Sequence, residues 1–131
     1  MSVQSRWYEE VWNQGRESAI DELAEPDVIA HGLTDSAGQE VVGTEAFKAM
    51  FRAFRSSLSG LHVEVEQLIV QGDTSVARCV VTGTHTGNGL GKEPKGRPVR
   101  FTGMSMVRER GGKIAEAWNN FDFATMFQQM D

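Results

Sequence analysis

Four side chains in this sequence could exchange a proton near neutral pH if their surroundings assist: Asp122 and the three histidines, His31, His62 and His85. Asp122 ends a segment, Gly112 to Asp122, that reads as the last strand. Strand side chains alternate, so Glu116, Trp118, Asn120 and Asp122 share one face, opposed by Ala115, Ala117 and Phe121. Taken as an inner face, the first set aligns a carboxylate with a tryptophan and an asparagine. An ionised acid withdrawn from water is costly unless it is paired or shifts its pKa. This reading makes Asp122 the reactive group of a pocket. The alternative is a solvated face whose aspartate simply ends the strand.

A positioned carboxylate of this kind can serve as a general acid or base, and apolar walls raise its pKa toward neutrality by disfavouring charge. Trp118, Phe51, Phe54 and Phe101 are the expected walls, with Trp12 at the cavity. His85 would polarise a bound group or orient Asp122; otherwise it is a strand histidine bonded to backbone or water. His31 closes a short strand, either at the pocket or at the surface. His62 follows the polar phase beside Glu64 and reads as solvated. Arg78 is assigned to the pocket, against the alternative of a cross-strand salt bridge. Simple alternation sets Arg78 and His85 on opposite faces, and a kink at Gly83 would be needed to bring both inward.

These groups need elements to hold them. Val3, Trp7 and Val11, widened by Tyr8 and Trp12, predict a helix that stops near Gly15. A short helix over 17–24 is expected to end at Pro26. Strands are expected at 28–32 and 38–42. Phe47, Met50, Phe51, Phe54 and Leu58 mark an amphipathic helix from Thr44 to about Ser57, a core stripe that also roofs a cavity. From Leu61 onward the pattern is strand. The apolar phase slips at Gln67, which predicts a bulge and a bent sheet. Gln71-Gly72-Asp73 and Gly111-Gly112 are hairpin turns. Residues 87–98 form a long glycine- and proline-rich loop, a candidate lid. Its glycines lack the spacing and following helix of a phosphate loop. Residues 123–130 read as a closing helical turn.

Helices first and hairpin-joined strands after give an α+β order: a bent sheet folded around the long helix, with an apolar interior fit for a small molecule. The chain has 131 residues, 40% of them hydrophobic, which suits one domain over 1–131 with one core. A net charge of −5 disfavours nucleic acid or an anionic membrane as partner. The single cysteine, Cys79, excludes an internal disulfide, and no ligand cluster for zinc is readable, so no metal is expected. Neither a spanning run nor a signal-peptide order is present, and a cytoplasmic location is expected.

Val11-Trp12-Asn13-Gln14-Gly15 followed by Pro26-Asp27 and His31-Gly32 resembles the opening of the SnoaL-like polyketide cyclases. So do Gly83-Thr84-His85-Thr86-Gly87, Gly96-Arg97-Pro98-Val99, and the closing Gly112-Lys113-Ile114-Ala115-Glu116-Ala117-Trp118 with Asp122 four residues on. The likeness covers nearly the whole chain. It implies an NTF2-like cone: α+β, with N-terminal helices packed on a strongly bent, mixed, mostly antiparallel β-sheet. It also implies a homodimer through the sheet. By the same resemblance Asp122 is the acid/base group of an intramolecular aldol condensation, His31 and His85 line the pocket, and no metal or organic cofactor is used. Ala30 stands where the family often has an acid, and Pro94-Lys95-Gly96 where it often has Pro-Thr-Gly. An isomerase or hydrolase in the same cone, or a non-catalytic binding or dimerisation module, are the alternatives. The orientation of Asp122 and His85 toward one cavity discriminates between enzyme and module.

Overall fold

The computed structural model describes residues 2–131. Helix α1 (Val3–Arg6) runs on without a break into a π-helical segment, Trp7–Asn13. Helix α2 (Ser18–Leu23) leads straight into β1 (Ala24–Thr34) and the short β2 (Glu40–Val42). The long helix α3 (Thr44–Ser57) is followed by β3 (Leu58–Gln71), β4 (Thr74–His85), β5 (Pro98–Arg110), β6 (Lys113–Phe121) and helix α4 (Phe123–Met130). The strands form one open sheet in the order β2-β1-β6-β5-β4-β3. Among the described residues only β1 and β6 pair in parallel, and every other neighbouring pair is antiparallel.

Bulges bend this sheet. In β3 the register steps from Val65↔Cys79 to Gln67↔Arg78, leaving Glu66 over, within one residue of the expected slip. Between β5 and β6 it steps from Arg108↔Glu116 to Glu109↔Ile114, so Ala115 is the extra residue. Past that point Ala117, Asn119 and Phe121 face inward and Glu116, Trp118 and Asn120 face outward. The face expected to be inner is therefore the outer one.

The second helix ends at Leu23, three residues before Pro26, and Pro26 lies within β1. The first helix departs from α geometry where its aromatic residues cluster. Gln14 N–H donates to the Glu9 carbonyl, an i to i−5 bond at 2.9 Å. Five residues then make roughly one turn, which sets Trp7 and Trp12 one above the other on the inner side. The core joins this segment to α3, α4 and the inner sheet face through Val11, Phe47, Phe51, Leu61, Val81, Phe101, Met126 and others. Among the described residues no helix is long and apolar enough to cross a membrane.

Candidate functional site

The helices and the concave sheet face enclose a hollow. The first helix lines it with Trp7, Tyr8 and Trp12, α3 with Phe47, Met50 and Phe54, and the sheet with Val63, Val81, Phe101, Val107 and Ala117 among others. Phe121 and Phe123 close it where β6 passes into α4. The cavity volume is about 90 Å³, against roughly 10–15 Å³ for one water, which suits a ligand of single-ring size. Aromatic edges build the wall: Trp12 meets Phe54 at 6.1 Å and 86°, and Phe54 meets Phe123 at 5.7 Å.

The polar lining is a single corner made by Tyr8, Ser105 and Asn119. Ser105 Oγ donates to Asn119 Oδ1 at 2.8 Å, and Asn119 Nδ2 donates to the His31 carbonyl at 3.0 Å. Behind them Gln4, fully buried, donates to the Ser105 carbonyl at 2.9 Å and accepts from Ser75 Oγ at 2.7 Å. Burial pushes the Tyr8 phenol well above its usual pKa, so it stays protonated as a donor. None of the three corner residues was singled out as a site residue from sequence. Tyr8 stood in an ordinary helical stripe, and Ser105 and Asn119 show their role only through the strand phase. A buried Asn–Ser pair across neighbouring strands would have been the signal.

Asp122 is not at the bottom of this hollow. It is exposed and forms the N-cap of α4, accepting from the Thr125 N–H at 3.0 Å and from Thr125 Oγ1 at 2.7 Å. These bonds hold its pKa below the usual aspartate value, the opposite of what a base for carbon acids needs. The physical reason is the inverted phase of β6 together with the start of α4, whose free N–H groups draw a carboxylate.

His31 and Trp118 are likewise outside. They stack on the outer sheet face with ring centroids 5.5 Å apart and 24° between planes. His31 Nδ1 meets Glu40 at 2.8 Å and Nε2 meets Glu116 at 2.6 Å; Arg108 joins Glu116 at 3.1 Å. The Glu116 and Glu40 carboxylates raise the His31 pKa, so this is a clamp across β2, β1 and β6. Arg78 projects from the same face toward Glu66 at 3.7 Å, as simple alternation and the salt-bridge alternative have it. Phe51 is buried in the core behind Trp12, at 5.3 Å between rings, and does not line the hollow.

Trp12, Phe54 and Phe101 do line it. His85 lies on the inner phase of β4 and is fully buried, yet it is not part of the lining. Among the described residues neither of its ring nitrogens has a partner, and Ser57, the last residue of α3, has an unpartnered Oγ too. Loop 86–97 covers this end. The His85 N–H donates to the Arg97 carbonyl and the Gly96 N–H donates to the His85 carbonyl, each at 2.9 Å. A Cβ at Gly87 would fall 1.9 Å from the Ser56 carbonyl oxygen, so glycine lets the loop lie directly on the end of α3. Among the described residues no group of three or more His, Cys, Asp or Glu is placed to hold a metal ion.

Residues 2–130 match the family model described as SnoaL-like polyketide cyclase. No protein of curated function matches the sequence. Among solved structures the chain is similar to IdmH from Streptomyces antibioticus, described as a candidate polyketide cyclase. The TM-score is 0.82 at 29% identity, over 97% of this chain and 94% of that one. A candidate polyketide cyclase from Bacillus cereus ATCC 10987 is 30% identical with a TM-score of 0.81, over 98% and 77% of the two chains. A hypothetical protein with a ketosteroid isomerase-like fold from Catenulispora acidiphila DSM 44928, in complex with trimethylamine, shares only the fold. It is 18% identical with a TM-score of 0.76 over 98% and 91%. The fold is thus the NTF2-like, ketosteroid isomerase-like α+β cone.

Proposed function

Because the chain belongs to the SnoaL-like polyketide cyclase family, we propose that it promotes an intramolecular, aldol-type cyclisation of a small, apolar carbonyl compound held in the hollow, using its own side chains and no cofactor. The observation that carries this reading is the apolar hollow with one polar corner at Tyr8, Ser105 and Asn119. In such a reaction a proton leaves a carbon flanked by carbonyls and the resulting enolate attacks a ketone of the same molecule. Aromatic walls on three sides hold a flexible chain folded, and proximity of its two reacting carbons supplies much of the rate. Donors at the corner stabilise negative charge as it builds on oxygen.

Of the three groups expected to move protons, this reading keeps His85. It is on the concave side, and its two unpartnered nitrogens are free to act once loop 86–97 lifts. Asp122 is left as a helix cap and His31 as a strand clamp. The test is incubation with 1,3-diketones and triketones of single-ring size, followed by NMR and mass spectrometry. A cyclised product, with or without loss of water, that disappears in His85→Asn and persists in Asp122→Asn supports the assignment. Loss of product in Asp122→Asn alone returns the base role to the acid.

A second reading, a small-ligand binding module, is favoured by one observation: among the described residues no carboxylate or imidazole lines the hollow. Tight retention of the same diketones without conversion would select it. Rearranged or cleaved products would point instead to isomerase or hydrolase chemistry.

The reading includes a homodimer through the outer sheet face. Met104 and Met106 stand exposed there at 50% and 38%, and Met106 is paired in register with Trp118. Analytical ultracentrifugation of the wild type against Met106→Glu tests it, with a monomeric wild type as the contrary result.

A further inference from the structure

The polar corner of the hollow is a hydrogen-bond chain with a direction. Ser75 Oγ donates to Gln4 Oε1 at 2.7 Å, while Gln4 Nε2 donates to the Ser105 carbonyl at 2.9 Å and to the Tyr8 phenol oxygen at 3.4 Å. A backbone carbonyl can only accept, so the nitrogen of the Gln4 amide must face Ser105 and its oxygen must face Ser75. The direction at Tyr8 follows: its oxygen receives, and its proton is left to be given elsewhere. Besides Gln4, the phenol lies within hydrogen-bonding reach of Ser105 and Cys79, so a bound acceptor would take the Tyr8 proton in competition with these two. Across the corner, Asn119 Oδ1 accepts from Ser105, one N–H goes to the His31 carbonyl, and the second N–H has no acceptor.

We propose that the Tyr8 O–H and the second Asn119 N–H together form a carbonyl-oxygen site in the hollow, for the neutral ketone or ester oxygen of an otherwise apolar ligand, with Gln4 as the positioning residue that keeps the Tyr8 proton turned inward. This rests on the reading of the hollow as the ligand site. The chemical class follows from what the lining offers. Two donors at the hollow call for an acceptor. Among the described residues no cation lines the hollow, so an ionised carboxylate would be buried unpaired, which is strongly disfavoured. Tyr8 is buried and Asn119 half-buried, so an acceptor bound between them meets donors already withdrawn from much of the water. A hydrogen bond that tightens as the oxygen gains charge would also favour enolate formation at the bound ligand.

A matched pair of probes separates this from the parent reading. Acetophenone and α-methylstyrene have the same shape and differ by an oxygen in place of a methylene. Trp7 and Trp12 line the hollow, so their fluorescence reports binding of either. The wild type is expected to bind the ketone about tenfold tighter, the worth of one net hydrogen bond, and to shift its infrared carbonyl stretch to lower frequency. Tyr8→Phe should lose the preference and most of the stretch shift while binding the hydrocarbon as before. Gln4→Met, with Tyr8 intact, should reduce the stretch shift without changing hydrocarbon affinity, which a merely structural role would not do. Equal binding of both probes by the wild type, or a bound stretch at its hydrocarbon-solvent value, overturns the site and leaves the hollow standing. Failure to bind either probe removes the hollow as ligand site, and this proposal with it. If Tyr8→Phe does not fold, the wild-type stretch decides alone.

Discussion

Asn119 donates its side-chain N–H to the backbone carbonyl of His31 at 3.0 Å, although the two side chains lie on opposite sides of the sheet. This contact welds β1 to β6 beside their parallel pairing. It also marks the division of labour between the faces: the hollow and its donors on one, a charged clamp on the other.

The weld depends on Gly32. Its φ is +82°, and a Cβ there would lie 1.9 Å from the Asn119 carbonyl oxygen. Gly32→Ala is expected to destabilise the fold by about 2 kcal/mol or more, from strain and the forced separation of β1 and β6. Urea denaturation measures it; an unchanged midpoint would mean that the strands part freely there.

The clamp predicts a pH dependence. The folded-state pKa of His31 is raised, first by Glu116 and then by Glu40. Its contribution to stability is then fully present below the unfolded value of about 6.5 and is lost as pH rises through the higher folded value. Glu116, whose pKa is lowered by His31 and Arg108, contributes in the other direction: its share is present above the unfolded carboxylate value and lost as pH falls through the folded one. Thermal melts from pH 5 to 9 should show the alkaline loss in the wild type and not in His31→Gln. A wild type whose melting temperature is flat over this range would rule the clamp out as a titrating element.

Asp122→Ala should lower the melting temperature by a few degrees, as loss of an N-cap does. Because the folded pKa of Asp122 is depressed, the difference from wild type should persist above the unfolded aspartate pKa and vanish as pH falls through the folded one. Probe binding in the hollow should be untouched. Weakened binding in this variant, with α4 intact by circular dichroism, would place the carboxylate nearer the hollow than its capping bonds do.

His85 is fully buried with two unpartnered nitrogens. Replacing an unsatisfied polar group by an apolar one of similar size removes a desolvation penalty. His85→Leu is therefore expected to be as stable as the wild type or more so in urea, while losing any turnover. A large destabilisation would show that buried water or an unseen donor satisfies the ring.

Filling the hollow gives the complementary test. Ala117→Leu adds three carbons to a lining position, within the space available. The melting temperature should hold or rise, and probe affinity should fall at least about tenfold. Retained affinity would place the ligand elsewhere.

Much of this molecule was legible in its residues. The helical stripe from Phe47 to Phe54, the turn at Gly72, the bulge in β3, the α+β order and the family resemblance all rest on local pattern, and the fold agrees with them. Phe54, Phe101 and Trp12 were placed at the cavity from their types and neighbours, and they line it. The opposite orientation of Arg78 and His85 also follows from alternation alone.

What sequence determined by itself was which residues share a face; which face became the interior was decided only when the sheet met its helices. In β6 the two faces are nearly balanced in character, with Trp118 on one and Phe121 on the other, so local pattern assigns neither to the core. The extra residue at Ala115 and the packing of the first helix and α3 broke that balance, carrying Asn119 inward and leaving Glu116 and Trp118 outside. Asp122 followed the same decision, since the chain turns into α4 at that point and its exposed N–H groups bind the carboxylate. Alternation is a property of a few consecutive residues, whereas inside and outside are defined by contacts a hundred residues apart, such as that of Gln4 with Ser105.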